Sequence, residues 1–153
     1  MQATPRRTVG LVTSIRLRAQ GTATVEQVWE RYARPDAWAT WSPQITSVQA
    51  DGARIVAGMR GTVRGPLRLP VRFLITAVDD ELMTWSWKVH VGPVALTLHH
   101  SVTARATAAP VGALVDQPGG SSTTLDLAGP APIVLGYAPL AQLALRKLVS
   151  GIR

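Results

Sequence analysis

The sequence predicts an α+β domain in which a curved antiparallel sheet closes around one long C-terminal helix. Between Ile45 and Ala128 the chain forms six short apolar-polar alternating runs separated by turn residues, which is typical of strands joined by hairpins. Residues Ala131–Gly151 instead repeat their apolar positions at the 3.6-residue period of a helix. The helical segments are grouped and do not alternate with the strands, which favours an antiparallel over a parallel sheet.

Length and composition indicate a single domain over residues 1–153, long enough for a substantial core. Hydrophobic residues make up 46% of the chain and charged residues 16%, which excludes intrinsic disorder. No apolar run reaches the roughly 18 residues that a membrane-spanning helix needs, and the first ten residues lack the apolar segment of a secretory signal. We therefore expect a cytoplasmic protein without integral membrane association.

The net charge of +7 comes mainly from scattered arginines. Because no dense basic cluster accompanies them, we interpret the charge as a solvated surface and expect no specific nucleic-acid partner. The absence of cysteine excludes disulfides and thiolate chemistry.

The first third of the chain predicts one strand followed by two short helices. Thr8–Gln20 alternates as a half-buried strand does. Thr24 and Gln27 fit a capping box that opens the first helix. Pro35, in a position suited to a first helical turn, opens the second helix, Asp36–Thr40.

The remaining elements are six strands and the long helix. Asp51-Gly52 is a strong hairpin signal, and Gly92-Pro93 is the signal of a two-residue turn. Ala106–Gly120 is too long and too rich in Pro, Gly and Ala for a plain hairpin loop, so we expect an ordered excursion or a mobile tip there. The predicted strands are Ile45–Ala50, Ile55–Arg64, Leu67–Val78, Leu82–Val91, Val94–Arg105 and Ser121–Ala128.

The C-terminal helix has an apolar stripe wide enough for a sheet to enclose it. Tyr137, Leu140, Ala144 and Leu148 lie on one face of the helical pattern. The helix and the preceding seven strands therefore form one architecture, with the helix in the concavity of the sheet.

Several short motifs occur along this order of elements: Val28-Trp29-Glu30, Asp36-Ala37-Trp38, Trp41-Ser42-Pro43, Gly58-Met59-Arg60-Gly61-Thr62, Trp85-Ser86-Trp87 and His99-His100. Together with that order they resemble the START-like (SRPBCC, helix-grip) superfamily, and within it the bacterial polyketide cyclase/dehydrase-like branch. The resemblance spans roughly Thr13 to Leu148. It implies a helix-grip fold with a pocket between sheet and helix, in a superfamily that includes lipid carriers, ligand sensors and cyclases.

Alternation assigns the two faces of the central strands. Each strand has one apolar row, which we place on the concave face, whereas Arg60, Arg64, Arg68 and Arg72 fall on the outer face. If the helix leaves part of the concavity empty, as the resemblance implies, these rows line a ligand pocket; a filled core is the alternative interpretation. The predicted wall residues are Trp38, Trp41, Met59, Leu69, Val71, Phe73, Trp85, Trp87, Leu98, His100, Tyr137 and Ala141.

Only His100 is a strongly ionisable side chain on the predicted inner face, and Tyr137 is its candidate partner for proton transfer. A histidine that only forms hydrogen bonds in the core is the alternative. His99 and His100 point to opposite faces of a strand, so they cannot form a two-histidine metal site, and no cofactor motif occurs. We therefore predict no metal and no cofactor.

Two functions remain open after these exclusions. The first is binding, sequestration or transport of a small hydrophobic ligand, lipid or polyketide-like, which needs only an enclosed apolar cavity. The alternative is a polyketide cyclase or dehydratase that uses His100 and Tyr137 as its acid-base pair.

Overall fold

The computed structural model describes residues 12–65, 69–105 and 119–151. These residues form an antiparallel sheet with a long C-terminal helix, and the predicted α+β class is confirmed. The helices are α1 (Val25–Ala33), α2 (Trp38–Trp41) and α3 (Ala131–Leu148), with one 3-10 turn, Pro35–Ala37, before α2. The strands are β1 (Val12–Gly21), β2 (Ser47–Ala50), β3 (Arg60–Arg64), β4 (Pro70–Asp79), β5 (Thr84–Val91), β6 (Val94–Ala104) and β7 (Ser121–Pro130).

The sheet has the strand order β1-β7-β6-β5-β4-β3-β2, and every neighbouring pair is antiparallel. Strand β1 pairs with β7 along its whole length, so the beginning and the end of the domain lie at the same edge of the sheet. Strands β6 and β7 are also neighbours, and most of the predicted Ala106–Gly120 segment between them (106–118) lies outside the described residues.

Two local predictions are confirmed in detail. Thr24 and Gln27 form the capping box of α1: the Thr24 hydroxyl accepts from the Gln27 backbone N–H at 3.1 Å, and the Gln27 side chain accepts from the Thr24 backbone N–H at 2.9 Å. Gly92-Pro93 is the two-residue turn between β5 and β6, where Val91 pairs with Val94. Gly92 has φ +56°, which glycine adopts without strain in the first central position of such a turn.

The hairpin signalled by Asp51-Gly52 is present, because β2 and β3 pair antiparallel. Its connection is longer than predicted: Ala50 lies opposite Gly61, and residues 51–59 lie between the two strands. Ile55 was predicted to begin a strand; it is instead buried, and its N–H donates to the carbonyl of Ala33 at the end of α1. A helix end thus provides the partner that a neighbouring strand would have provided.

Other strand limits differ less from the predictions. Strand β5 begins at Thr84 and not at Leu82, because Met83 has φ +54° and ends the preceding turn. The predicted beginnings of β1 at Thr8 and of β4 at Leu67 fall on residues outside the described ranges.

Helix α3 packs on the edge of the sheet formed by β1 and β7 and touches α2. Its sheet-facing residues are buried, but Leu140, predicted to lie on the buried stripe, is 45% exposed. The prediction fails there because α3 lies over one side of the sheet, so the flank that carries Leu140 faces solvent. The buried residues of the α3 segment are Val134, Ala141, Ala144, Leu145, Leu148 and Val149.

The C-terminal end of α3 is fixed from two sides. The guanidinium of Arg31 on α1 donates to the carbonyls of Leu148 and Ser150. Gly21 lies so close to the Val149 carbonyl that a β-carbon would be 2.1 Å from its oxygen, so only glycine fits there. With α3 held over β1 and β7, the concave face of β3 to β6 is left for α1 and α2 to cover.

Candidate ligand-binding cavity

One end of the concave face is filled by aromatic side chains. Helix α1, the 3-10 turn and α2 lay Tyr32, Trp38 and Trp41 over Trp85 and His100 of the sheet, and all five are buried. The Trp85 ring stacks on the His100 ring with centroids 4.5 Å apart, and the Tyr32 and His100 centroids are 4.9 Å apart. We call these five residues the filled end.

The opposite end, beside the β5–β6 turn, holds an open cleft of about 280 Å³. We call it the cleft. Its walls come from β3 to β6, from the loops next to them and from the first turns of α3. The described lining residues are Gln44, Ile45, Val63, Gly65, Leu69, Val71, Trp87, Val89, Val91, Leu96, Leu98, Ile133 and Tyr137.

A second, smaller cavity of about 30 Å³ lies between the cleft and the filled end. We call it the inner chamber. Gln44, Ile45, Trp87, Leu98 and Tyr137 line both cavities and therefore form the partition between them. The other lining residues of the inner chamber are Trp38, Trp41, Ser42, Trp85, His100, Leu125, Ala141, Ala144 and Leu145.

The structure brings most of the predicted wall residues to these two cavities. Leu69 and Val71 line the cleft, and Trp87, Leu98 and Tyr137 line both cavities. Those at the inner chamber alone are Trp38, Trp41, Trp85, His100 and Ala141.

Met59 and Phe73, also predicted as wall residues, line neither cavity. Phe73 is buried against the rings of Trp38 and Trp87, and Met59 is buried near the 51–59 connection, with its sulfur close to Gly52. Both side chains are buried and belong to the hydrophobic core.

Several wall residues were not predicted from the sequence, and the reason differs from residue to residue. Val89 and Leu96 lie in the predicted apolar rows and could have been chosen from their alternation. Gln44 lies before the predicted strand Ile45–Ala50, where no periodicity signals a wall, and Ile45 lies outside β2, which begins only at Ser47. Ile133 is in the first turn of α3, and only the position of that helix places it at the cleft.

A chain of hydrogen bonds crosses the filled end. The indole Nε1 of Trp87 donates to His100 Nε2 at 3.1 Å, and His100 Nδ1 lies 3.3 Å from the Tyr32 hydroxyl. That hydroxyl lies 2.5 Å from Thr123 Oγ1, which donates to the Ser101 carbonyl at 2.9 Å.

The direction of this chain follows from its ends. An indole N–H can only donate, so His100 Nε2 accepts and the neutral ring carries its proton on Nδ1. Nδ1 then donates to Tyr32, and the Tyr32 hydroxyl donates to Thr123. Burial, with a smaller contribution from the neighbouring charge of His99, lowers the pKa of His100 from 6.5 to about 3. The His100 ring is therefore neutral at pH 7, with both nitrogens engaged.

Tyr137, the predicted proton-transfer partner of His100, bonds elsewhere. Its hydroxyl accepts from Gln44 Nε2 at 2.7 Å, while the partner of His100 is Tyr32. Tyr32 lies on α1, and its position there gives no sign in the sequence of contact with β6. Burial raises the pKa of Tyr137, and the hydrogen bond from Gln44 opposes that rise.

The walls of both cavities are uncharged. The described residues that line them include no Lys, Arg, Asp or Glu. The outward assignment of Arg60, Arg64 and Arg72 is correct, because all three are exposed; Arg68 lies outside the described residues. His99 is exposed and His100 buried, as the alternation predicts.

The same described ranges contain neither a metal-binding group nor a membrane-spanning helix. No group of three or more His, Asp or Glu side chains there could hold a metal ion. No helix among them combines the length and apolar character needed to cross a bilayer.

An antiparallel sheet with a long C-terminal helix over its concave face and a cavity between them defines the helix-grip class. Comparison with family profiles extends this assignment to a family. Residues 13–151 match the family described as polyketide cyclase / dehydrase and lipid transport, and the chain belongs to that family. The resemblance to the SRPBCC superfamily is thereby confirmed.

A solved structure with the same fold is the crystal structure of Ara h 8.0201, a helix-grip protein. It superposes with a TM-score of 0.65 at 11% sequence identity, over 90% of this chain and 94% of that chain. At this identity the similarity concerns the fold alone. No curated protein matches the sequence significantly.

Proposed function

We propose that the protein binds a small hydrophobic ligand, lipid-like or polyketide-like, in the cleft, and that it sequesters or transports this ligand. The observation that carries the proposal is the 280 Å³ apolar cleft between β3–β6 and the start of α3. Small-molecule sites are concave and mostly apolar, with volumes of about 300–1,000 Å³. The family description, which includes lipid transport, supports the same function.

The rim of the cleft provides a driving force for such binding. Leu69, Val91 and Ile133 are 58%, 43% and 41% exposed. Complete burial of a side chain of this size is worth about 1.5–3 kcal/mol, so a ligand that covers the rim gains part of that free energy from each residue.

The alternative is a polyketide cyclase or dehydratase, which the family description and the shared position of His100 and Tyr137 on the inner chamber favour. Binding without chemistry is the better supported function because both nitrogens of His100 are engaged. As a base, His100 would first have to give up its bond from Trp87. Turnover of a polyketide-like substrate that His100→Gln abolishes, with binding intact, would establish the alternative.

The first experiment fills the cleft. Val71 is half-buried on the concave face of β4, and Val71→Trp should place an indole where the ligand lies. We expect equilibrium dialysis to show binding of 2-methylnaphthalene by the wild type and at least tenfold weaker binding by the variant. Leu74→Trp, on the outer face of the same strand, is the matched control and should bind like the wild type. Equal binding by the wild type and Val71→Trp would refute the location.

Two further predictions from the composition stay as proposals: location in the cytoplasm and the absence of specific nucleic-acid binding. Exposed Arg60, Arg72 and His90 border a hollow on the outer face, and they would attract phosphate only through charge. Such attraction weakens steeply with salt. A mobility-shift titration should therefore show no sequence-dependent complex at physiological salt.

A further inference from the structure

Two residues that line the inner chamber each carry a buried polar atom without a hydrogen-bond partner. The atoms are the indole Nε1 of Trp85 and the amide Oε1 of Gln44. A buried polar group without a partner is unfavourable, so a ligand group that bonds to these atoms removes that cost. The contrast within the chain is clear, because the indole N–H donates in each of the other tryptophans: Trp29, Trp38, Trp41 and Trp87.

Tyr137 adds a third polar group that is only partly used. Its hydroxyl oxygen accepts from Gln44 Nε2, so its own proton is left to donate. If the Gln44 amide is turned over, Tyr137 donates to it, and the amide N–H and a Tyr137 lone pair are left instead. In either orientation the Gln44–Tyr137 pair offers one donor and one acceptor, and Trp85 offers a second donor.

The volumes and linings of the two cavities determine which ligand groups can reach the polar groups of Trp85, Gln44 and Tyr137. The inner chamber of about 30 Å³ has room for one hydroxyl group, since about 10–15 Å³ suffices for a water molecule. Gln44 and Tyr137 line both cavities, so a molecule whose body fills the cleft reaches the inner chamber when one small polar group passes between the side chains of the partition.

The chemistry of the walls decides which polar group fits. A carboxylate would lose its hydration with no Lys or Arg among the described lining residues to compensate for it. A carbonyl could accept hydrogen bonds there but has no proton for the acceptor that the Gln44–Tyr137 pair offers in either orientation. A hydroxyl both donates and accepts.

Resting on the proposed function, we infer that the site selects neutral apolar molecules that carry one hydroxyl group, an alcohol or a phenol. Gln44, Tyr137 and Trp85 are the specificity-determining residues.

The test compares three probes of one shape: 2-naphthol, 2-methylnaphthalene and 2-naphthoate. We expect the wild type to bind 2-naphthol about tenfold more tightly than 2-methylnaphthalene, and 2-naphthoate at least tenfold more weakly than 2-methylnaphthalene. Gln44→Met keeps the length of the side chain and removes its polar groups. It should reduce the preference for the hydroxyl, taken as the ratio of the 2-naphthol and 2-methylnaphthalene affinities of the same variant, to threefold or less. Tyr137→Phe should reduce the preference in the same direction.

The control is Gln49→Met on the exposed side of β2, which should keep the full preference. If neither neutral probe binds, the proposed function itself fails. If 2-naphthol and 2-methylnaphthalene bind the wild type equally, or 2-naphthoate binds most tightly, the cleft binds ligands but the inference is overturned. The same holds if Gln44→Met and Tyr137→Phe both keep the full preference. Coincident urea-unfolding transitions of both variants and the wild type show that the comparison is made on folded protein.

Discussion

The filled end and the cleft lie on the same face of the same strands, yet one is packed and the other is empty. Strands β5 and β6 present an apolar inner row to both: Trp85 and His100 at the filled end, Val89 and Leu96 at the cleft. What differs is the layer above. Helix α1 and α2 bring large rings only to the filled end, and α3 lies over β1 and β7. The apolar character of strands therefore does not distinguish a core from a cavity; the reach of the covering helices does.

Truncation of a side chain should give the largest difference in stability loss between the filled end and the cleft. Trp38→Ala removes a fully buried ring that packs on Trp85 and Phe73, and we expect the free energy of unfolding to fall by about 3–5 kcal/mol. Val89→Ala at the cleft should cost only about 1–2 kcal/mol, because no new enclosed cavity forms there. Urea denaturation measures both values. Equal losses would mean that the cleft is packed as tightly as the filled end.

The second prediction uses pH on the filled end. In the unfolded chain the pKa of His100 is near 6.5, whereas burial in the folded protein lowers this pKa to about 3. Between these values the unfolded state binds more protons, so stability is full above pH 6.5 and falls as the pH decreases. From pH 6.5 to 4.5 we expect this one group to remove about 2 kcal/mol.

The matched variant is His100→Gln, which cannot titrate. We measure the unfolding free energy of both proteins by urea denaturation from pH 7 to 4.5. The decline for the variant should be smaller than that for the wild type by about 2 kcal/mol. Parallel curves for the two proteins would show that His100 is not held neutral by burial.

The third prediction enlarges a side chain at each end. Ala141 lines only the 30 Å³ inner chamber, so Ala141→Leu adds more atoms than the chamber holds and should cost about 1–3 kcal/mol. Val71→Trp, which projects into the open cleft, should cost less than about 1 kcal/mol although it adds more atoms. Thermal unfolding of the two variants ranks them. The reverse order would contradict the assignment of the empty volume to the cleft.

The smallest effect is expected at the rim. Leu69 is 58% exposed, so Leu69→Ser should change the free energy of unfolding by no more than about 0.5 kcal/mol. The same change should weaken binding of 2-methylnaphthalene several-fold, because Leu69 lines the cleft. Urea denaturation and equilibrium dialysis on one preparation separate the two quantities. A large loss of stability would place Leu69 in the core.

The fold could be predicted from the sequence because its signals are local. Alternation fixed the inner and outer faces of β5 and β6, and the capping box of Thr24 and Gln27 fixed the start of α1. The failures depend on contacts distant in sequence. The pattern at Ile55 predicts a strand, but the Ile55 N–H donates to the end of α1. The helical pattern predicts that Leu140 is buried, and only the lateral position of α3 explains why it is exposed.

The candidate site was predictable only in part, for the same reason. Periodicity selected Trp87, Leu98 and Tyr137 as wall residues without showing that they separate two cavities. The pairing of His100 with Tyr32 joins residues 68 positions apart and has no local signal. Whether the Trp85 and Gln44 atoms find a hydrogen-bond partner likewise depends on all the residues packed around them, and no single stretch of sequence predicts that packing.

The packing of three indoles also gives the molecule an optical property. The ring centroids of Trp38, Trp85 and Trp87 are separated by 5.0, 5.2 and 5.6 Å, so light absorbed by any one of them is shared among all three. Trp87 belongs to the partition between the cleft and the inner chamber, and Trp38 lies at the filled end. We therefore expect a change of polarity at the cleft to alter the fluorescence and near-ultraviolet circular dichroism of the cluster as a unit. Binding of the proposed ligand would then be visible in the protein's own spectra.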